Sequence, residues 1–194
     1  PSLVGSEMCI RDRVLASGSD DDDVRRWDLT QGGASLDRLS GREGNEMTLA
    51  YHPTDHRLAA GGTYDFVELW NVVNPNAHIL SAHRGTIYSV RFSPDGLLIA
   101  SAGADDVIYL TASETYERQA SLEGHTADVK GVAFHPDGHL LASGGEDDTV
   151  RLWHGVTGES VNTLTGHTDH VNAVLFHPDG RTLFSASHDQ TVRF

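Results

Sequence analysis

The sequence predicts an all-β chain that repeats one unit of four antiparallel strands. The first observation behind this prediction is a tandem repeat: residues 124–153, GHTADVKGVAFHPDGHLLASGGEDDTVRLW, return as residues 166–194, GHTDHVNAVLFHPDGRTLFSASHDQTVRF. Residues 82–111, AHRGTIYSVRFSPDGLLIASAGADDVIYLT, are an earlier copy at the same step of 42 residues. A fixed period of this size is typical of repeat architectures. The second observation is that apolar runs of strand length alternate with turn residues, without helical periodicity.

The first two strands of the unit are predicted around a Pro-Asp-Gly turn. Residues 132–134 and 140–143 are short apolar or β-favouring runs, and the sequence HPDG at 135–138 separates them. Proline presets φ, aspartate hydrogen-bonds its own backbone, and glycine takes the positive φ that closes a hairpin. This pattern predicts an antiparallel pair.

The third and fourth strands follow a second turn, GGEDD. Residues 149–153 alternate, so that Val150 and Leu152 face one way and Trp153 faces the other. A weaker run at 159–164 precedes the next Gly-His. The unit therefore reads as a meander of four strands.

Three motifs of the unit also carry a family resemblance. Gly-His stands near its start, Pro-Asp-Gly forms the first hairpin, and SGGEDDTVRLW runs into the third strand. Together they resemble the repeat of the WD-repeat β-propeller family, whose period is about 40 to 45 residues. The resemblance covers residues 14–194 and implies blades of four-stranded antiparallel sheet. It further implies an incomplete propeller, an open arc of a ring that most often has seven blades.

The repeat divides the chain into five units. We expect a partial repeat at 14–40, repeats at 41–80, 81–122 and 123–164, and a truncated repeat at 165–194. Residues 1–13 fit no strand or turn of the repeat, and we interpret them as a leader of foreign origin, with a native disordered tail as the alternative. Because a repeat is interrupted at both ends, we expect a piece of a longer propeller.

The units differ in how completely they keep the motif. In the second unit, Gly41, Ala60 and Tyr64 stand where histidine, serine and aspartate belong, although Trp70 remains. In the third unit, Thr111 replaces the tryptophan. Only the fourth unit is complete, so we expect its blade to be held most firmly.

One recurring set has the side-chain types of a hydrolase triad. His125, Ser143 and Asp147 could be read as a general base, a nucleophile and an orienting carboxylate. The set recurs as His83, Ser101, Asp105 and as His167, Ser185, Asp189. An active site is needed once, whereas a structural network is needed in every blade, so recurrence argues against catalysis. No nucleophile elbow, phosphate loop or dinucleotide fingerprint occurs in the sequence.

The resemblance to WD-repeat proteins implies a structural role for this set. In that family a hydrogen-bond network runs from tryptophan through serine and histidine to aspartate. Carried over residue by residue, it is Trp153–Ser143–His125–Asp147 in the fourth unit. The third unit lacks the tryptophan, and the fifth ends before it, so we expect these two networks to be shorter.

The resemblance also implies a partner-binding face, made of positions just before the first strand and just before the turn aspartate. These positions are Arg84, Thr86, Ala104, Thr126, Asp128, Glu146, Thr168, His170 and His188, with Glu43, Asn45, Thr63 and Asp20 in the weaker units. The set leans acidic around Asp20–Asp23, Asp128 and Glu146. We therefore expect a protein or peptide partner with a basic segment.

Composition narrows the function classes. The formal charge of −14 argues against a protein that tracks nucleic-acid phosphates. No apolar run is long enough to predict a membrane span, and the single Cys9 gives no support for a disulfide or an oxidising compartment, so we expect a cytoplasmic protein.

Metal and calcium sites are not expected. Six of the 12 histidines occupy repeat positions, and neither CxxC nor HExxH spacing occurs. The acidic run Asp20–Asp23 lacks the ligand spacing and central glycine of a calcium loop, so we interpret it as a solvated turn. We expect no cofactor.

We therefore predict a non-catalytic scaffold or regulatory domain that presents loops of one face to a protein partner. The alternative is an enzyme or small-ligand-binding domain that uses the central channel of a propeller. The one unrepeated set that could serve this alternative is Glu43, Glu46, His56 and Tyr64 in the degenerate second unit.

Overall fold

The computed structural model describes residues 8–11, 13–19, 23–40, 45–73, 77–81 and 83–194. Within these residues the chain forms five antiparallel sheets, each of which runs through its strands in chain order. The only helix in this part of the chain is a short 3-10 turn, Leu29–Gln31, which the sequence analysis does not predict. No helix among the described residues is long and apolar enough to span a bilayer.

The strands of the five sheets are as follows. The first sheet contains β1 (Met8–Arg11), β2 (Val14–Gly18), β3 (Asp23–Asp28) and β4 (Ala34–Ser40). The second contains β5 (Glu46–Tyr51), β6 (Arg57–Gly62), β7 (Phe66–Asn71) and β8 (Ala77–Ser81). The third contains β9 (Ile87–Phe92), β10 (Leu98–Gly103), β11 (Ile108–Ala112) and β12 (Arg118–Leu122). The fourth contains β13 (Val129–Phe134), β14 (Leu140–Gly145), β15 (Val150–His154) and β16 (Ser160–Leu164). The fifth contains β17 (Val171–Phe176), β18 (Leu183–Ser187) and β19 (Val192–Arg193).

The Pro-Asp-Gly turn between β13 and β14 has the predicted chemistry. Gly138 has φ 77° and donates its N–H to His135 O at 2.8 Å. The carboxylate of Asp137 accepts from the backbone N–H of His139 at 2.8 Å. A residue with a Cβ is strained at this φ, so glycine and aspartate together specify the turn.

The hydrophobic core lies between consecutive sheets. The innermost strands β1, β5, β9, β13 and β17 contact one another in succession. One apolar cluster joins Ile108 and Leu110 of the third sheet to Val129 and Trp153 of the fourth. Three further clusters join the other consecutive pairs in the same way. Each sheet is therefore stabilised by its neighbours, because full burial of one large apolar side chain contributes about 1.5–3 kcal/mol.

Small residues on the second strand of a sheet make this contact close. Gly61 faces Ile87 of the next sheet, and a Cβ on Gly61 would lie 2.6 Å from the Cγ2 of Ile87. Gly144 faces Val171 in the same manner, with 2.6 Å from the added Cβ to Cγ1. The glycines thus accept the branched side chains of the following inner strand.

The predicted fold class is confirmed: the described chain is all-β apart from one helical turn and consists of antiparallel blades of an incomplete β-propeller. One detail is wrong. Residues 1–13 are predicted to fit no strand of the repeat, but Met8–Arg11 pairs with Val14–Gly18, with Met8 opposite Ser17. Strand pairing uses backbone groups, so a segment without the repeat's side chains can still add to a sheet edge.

Candidate functional site

The complete fourth unit places its four motif side chains in one hydrogen-bonded chain. The indole Nε1 of Trp153 donates to Ser143 Oγ at 2.8 Å, and Ser143 Oγ lies 2.7 Å from His125 Nε2. His125 Nδ1 lies 2.9 Å from the Oδ2 of Asp147. Because an ionised carboxylate only accepts, Nδ1 carries the imidazole proton and Nε2 accepts from the serine hydroxyl.

The burial of these side chains determines whether Ser143 can act as a nucleophile. Ser143 is fully buried, His125 is 6% exposed, and Trp153 is 1% exposed. Because Ser143 is fully buried, a substrate carbonyl cannot reach its oxygen, which accepts from the indole. The arrangement stabilises the sheet and does not present a nucleophile.

Burial lowers the pKa of both His83 and His125, so both imidazoles are neutral at pH 7. The unfolded chain takes up these protons at an ordinary histidine pKa of about 6.5, whereas the folded chain takes them up only at lower pH. Stability that depends on the neutral imidazoles is therefore present above pH about 6.5 and is lost as the pH falls below that value.

The third and fifth units form shorter networks. His83 Nε2 lies 2.9 Å from Ser101 Oγ, and His83 Nδ1 lies 2.7 Å from the carboxylate of Asp105. In the fifth unit the corresponding distances are 2.8 Å for His167–Ser185 and 2.7 Å for His167–Asp189. The first sheet keeps one bond that the sequence analysis does not predict, from the indole of Trp27 to Ser17 at 3.0 Å.

The aspartate at the end of each network also fixes two loops. Asp147 accepts from the backbone N–H of Thr126 at 3.1 Å and from the hydroxyl of Thr149 at 2.8 Å. Burial raises the pKa of Asp147, but hydrogen bonds from Thr149 and His125 outweigh it, so this pKa lies below its usual range. The ionised carboxylate ties the loop before the first strand to the turn after the second.

We call the side of the sheets that carries these loops the upper face. It comprises the loop before each inner strand and the turn between the second and third strands. The opposite side, which carries the Pro-Asp-Gly turns, is the lower face. Most of the described upper-face candidates lie at these loops, which are anchored by the aspartates: Arg84 N–H donates to Asp105 at 3.1 Å and Thr168 N–H donates to Asp189 at 3.2 Å.

Two of the acidic candidates are held by a lysine that the sequence analysis does not single out. Lys130 Nζ lies 2.8 Å from Glu146 Oε1 and 3.3 Å from Asp128 Oδ2. The ammonium also lies 3.5 Å from the ring centroid of Tyr88, whose hydroxyl donates to Asp128 at 3.0 Å. Asp128 and Glu146 are therefore partly neutralised, and their charge is less available to a partner than expected.

The fifth sheet brings two further candidates together. The rings of His170 and His188 lie 5.7 Å apart, centroid to centroid, and are inclined by 25°. The N–H of His188 donates to His170 O at 2.9 Å, which holds the two backbones side by side. Asp169 is adjacent, and His170 Nδ1 lies 3.6 Å from Glu146 Oε1 of the fourth sheet.

Most of the other described upper-face candidates are joined to one another by hydrogen bonds. Asn45 and Thr63 are joined by a hydrogen bond of 2.9 Å, and Thr86 O accepts from Ala104 N–H at 2.9 Å. Asp20 and Glu43 lie outside the described residues.

Two members of the unrepeated set considered for an enzyme, His56 and Tyr64, are not brought together. His56 precedes β6 and Tyr64 follows it, so the strand separates them by about 20 Å at 3.3 Å per residue. Tyr64 is buried and stacks on Phe66 with centroids 4.4 Å apart. The structure thus gives His56 and Tyr64 no common site, whereas Glu43 and the side chain of Glu46 lie outside what it describes.

Comparison with known proteins identifies the repeat. The family model described as WD domain, G-beta repeat matches residues 75–110, 116–154 and 158–194, which is more than half of the chain. Each match begins at the fourth strand of one sheet and continues through the third strand of the next.

Several curated proteins are similar over part of the chain. Periodic tryptophan protein 2 homolog of Neurospora crassa is 31% identical over 113 residues, which is 57% of the chain and 12% of that protein. F-box-like/WD repeat-containing protein TBL1X of Mus musculus is 32% identical over 117 residues, 54% of the chain and 22% of that protein. Protein HIR1 of Mycosarcoma maydis is 29% identical over 139 residues, 61% of the chain and 14% of that protein.

The chain thus spans less than a quarter of the length of these relatives. Its repeat, its blades and its networks agree with the family match. The chain belongs to the WD-repeat family.

Proposed function

We propose that the chain is a non-catalytic interaction scaffold whose upper-face loops bind a protein partner. WD-repeat proteins generally act as scaffolds, and the relatives include proteins named for their WD repeats. The proposal rests on the hydrogen bonds that the network aspartates accept from the upper-face loops. Asp105, Asp147 and Asp189 each hold an upper-face loop by its backbone, so the loops form a rigid surface that needs little ordering when a partner binds.

The burial and hydrogen bonding of the repeated set support the absence of catalysis there. Both ring nitrogens of His125 are occupied, and Ser143 Oγ is fully buried beneath the indole of Trp153. We expect no turnover with esters, lactones or nucleotides. Hydrolysis that disappears in Ser143→Ala would contradict the proposal.

The chemistry of the partner is inferred from the carboxylates that surround the turn between β10 and β11. Asp106, in the turn between β10 and β11, has a raised pKa because of burial and because Asp128, Asp105 and Asp147 lie nearby. A carboxyl group whose pKa is raised by other carboxylates stands in a negative potential. We propose that this part of the upper face accepts a Lys- or Arg-bearing segment of the partner.

A peptide-display selection on the purified chain tests this proposal. Asp106→Asn removes the charge and keeps a side chain that tolerates the positive φ of 63° at this position. The matched control is Asp137→Asn on the lower face, which also keeps its turn hydrogen bond. We expect basic peptides whose affinity falls several-fold in Asp106→Asn, is unchanged in Asp137→Asn and decreases with salt. Peptides without basic residues, or equal effects of both substitutions, would refute the basic segment.

A further inference from the structure

A group of metal-ligand side chains lies on the upper face of the fifth sheet, apart from the buried networks. Asp169, His170 and His188 each offer one ligand atom, and these atoms lie within 4.8 Å of one another. Within the described parts of the chain, no other three histidine, cysteine or acidic side chains come together in this way. We infer that these three residues bind a divalent transition-metal ion, with Glu146 in reach as a further ligand.

The backbone holds the three residues in place. Asp169 and His170 lie in the loop before β17, and His188 lies in the turn after β18. Besides the bond between His188 N–H and His170 O, the hydroxyl of Ser187 donates to Asp169 O at 2.7 Å. The turn is fixed in addition by the bond from Asp189 N–H to Ser187 Oγ at 3.0 Å. Because these bonds hold both loops, side-chain rotation is the movement that would bring the ligand atoms around an ion.

The required rotation is small. Nitrogen ligands at about 2.0–2.1 Å from a tetrahedral ion lie about 3.3 Å from one another. The ligand atoms are at most 4.8 Å apart, and the side chain of His170 is 41% exposed. Stacked, partly exposed imidazole rings can turn towards a common centre without disturbing the core.

The types of ligand in this group favour particular metal ions. Two imidazoles and a carboxylate suit Zn²⁺, Cu²⁺ and Ni²⁺, whereas Mg²⁺ and Ca²⁺ prefer sites made of oxygen alone. The other motif histidines are occupied: His83, His125 and His167 each use both ring nitrogens within their networks. His170 and His188 are free of such a network, which leaves their nitrogens to an ion.

Glu146 gives the site a link to the next sheet. Its Oε1 lies 3.6 Å from His170 Nδ1 and 2.8 Å from Lys130 Nζ. Glu146 belongs to the turn between β14 and β15, whereas the other three ligands belong to the fifth sheet. An ion that takes Glu146 from Lys130 would therefore join the fourth and fifth sheets and leave the lysine with Asp128 and Tyr88.

Titration of the tag-free chain with ZnCl₂, followed by calorimetry, tests the inference. We expect one saturable site per chain, no comparable binding of MgCl₂, and affinity weakened at least tenfold by His170→Gln or His188→Gln. Asp169→Asn removes a ligand charge but retains the acceptor for His170 N–H at 2.8 Å, so it should weaken binding with the fold intact. With Co²⁺ as the probe, the visible absorption of a tetrahedral complex should develop in the unsubstituted chain and be lost in the histidine variants.

The matched control is His177→Gln. His177 is a half-exposed histidine beside a carboxylate, with Nδ1 2.9 Å from Asp179, but it has no third ligand nearby. Thermal unfolding without metal should be the same for all variants. The inference is overturned if Zn²⁺ does not saturate one site, if His177→Gln weakens binding as much as His188→Gln, or if Mg²⁺ binds equally well. Unchanged affinity in Glu146→Gln would remove the link between the sheets and leave a site of three ligands.

Discussion

The hydroxyl of Ser143 connects two groups that could not otherwise be satisfied in the core. It accepts from the indole N–H of Trp153 and donates to the imidazole of His125, and all three side chains are buried. A buried donor or acceptor without a partner costs about 1–3 kcal/mol, so removal of one oxygen affects two groups at once. In the third sheet, Ser101 serves only His83, because Thr111 stands where the tryptophan would be.

Ser143→Ala should therefore destabilise the chain by about 1–3 kcal/mol, and more than Ser101→Ala does. The measurement is the free energy of unfolding from urea denaturation at pH 7.5, where the buried imidazoles are neutral. Ser160→Ala on the exposed strand β16 is the control and should stay within about 0.5 kcal/mol of the unsubstituted chain. Equal losses for Ser143 and Ser101 would show that the indole bond contributes nothing.

The sequence predicts the side-chain contacts that recur in several units and misses the contacts that occur once. Histidine, serine and aspartate recur at fixed offsets, so the residues of the networks can be named from a single chain. The contact of Lys130 with Asp128 and Glu146 is not repeated, since Tyr88 and an asparagine occupy the matching positions in the sheets on either side. The cluster of Asp169, His170 and His188 has no local spacing motif either, because two loops supply it.

Among the elements, the lower-face turns carry a contact between sheets. His52 Nε2 lies 3.0 Å from Gly96 O, and His135 Nε2 lies 2.8 Å from Gly180 O, in each case the turn glycine of the following sheet. The hydrogen bond to Gly180 O raises the pKa of His135. The turn sequence HPDG thus specifies a hairpin and also contacts the next blade. From the sequence alone the histidine only marks the turn, because its acceptor is a backbone carbonyl and has no sequence signal.

Two glycines in equivalent turns separate these roles. Gly180 and Gly138 have φ of 71° and 77°, so alanine is strained at both, by about 1–2 kcal/mol. A Cβ on Gly180 would lie 2.5 Å from His135 Nε2, whereas a Cβ on Gly138 would meet nothing closer than 3.8 Å, at Pro94. Gly180→Ala should therefore destabilise the chain more than Gly138→Ala, because the imidazole must also move.

Urea denaturation of both variants, repeated in a His135→Ala background, measures this difference as a double-mutant cycle. Without the imidazole, the cost of Gly180→Ala should fall to that of Gly138→Ala. A cost that stays the same in both backgrounds would mean that the contact between the sheets has no energetic role.

Strands cannot be placed from the sequence where the repeat is incomplete. The strands of the third and fourth sheets could be placed from alternation and turn residues because several copies agree on them. Strand β1 (Met8–Arg11) was missed because its residues match no copy, although its backbone completes the first sheet. Alternation of side chains is a property of burial, and backbone pairing at an edge does not require it.

For the whole molecule, the decisive property is that apolar clusters lie between sheets and not within them. Ile87 is fully buried in the cluster that joins the second and third sheets, with Gly61 opposite. Each sheet exchanges such contacts only with its neighbours, so the loss of one contact should remain local. A 42-residue period predicts this arrangement, but the pairing of a glycine with a branched residue becomes visible only in three dimensions.

Ile87→Ala should cost about 2–5 kcal/mol, since it leaves a cavity that Gly61 cannot fill. Hydrogen exchange should show the largest loss of amide protection in β5–β12, with a smaller loss in the fifth sheet. Leu97→Ala, at a residue that is 59% exposed in the adjacent turn, serves as the control. Equal loss of protection throughout the chain would indicate one cooperative unit in place of neighbour-by-neighbour stabilisation.

The offset between family repeat and sheet has a consequence for the evolution of such chains. Each repeat begins with the last strand of one sheet and supplies three strands to the following one. Recombination between equivalent positions of two repeats can add or delete a copy, and every sheet at the junction still receives its full complement of strands. A single genetic event of this kind would therefore change the number of sheets and leave each remaining sheet with all its strands.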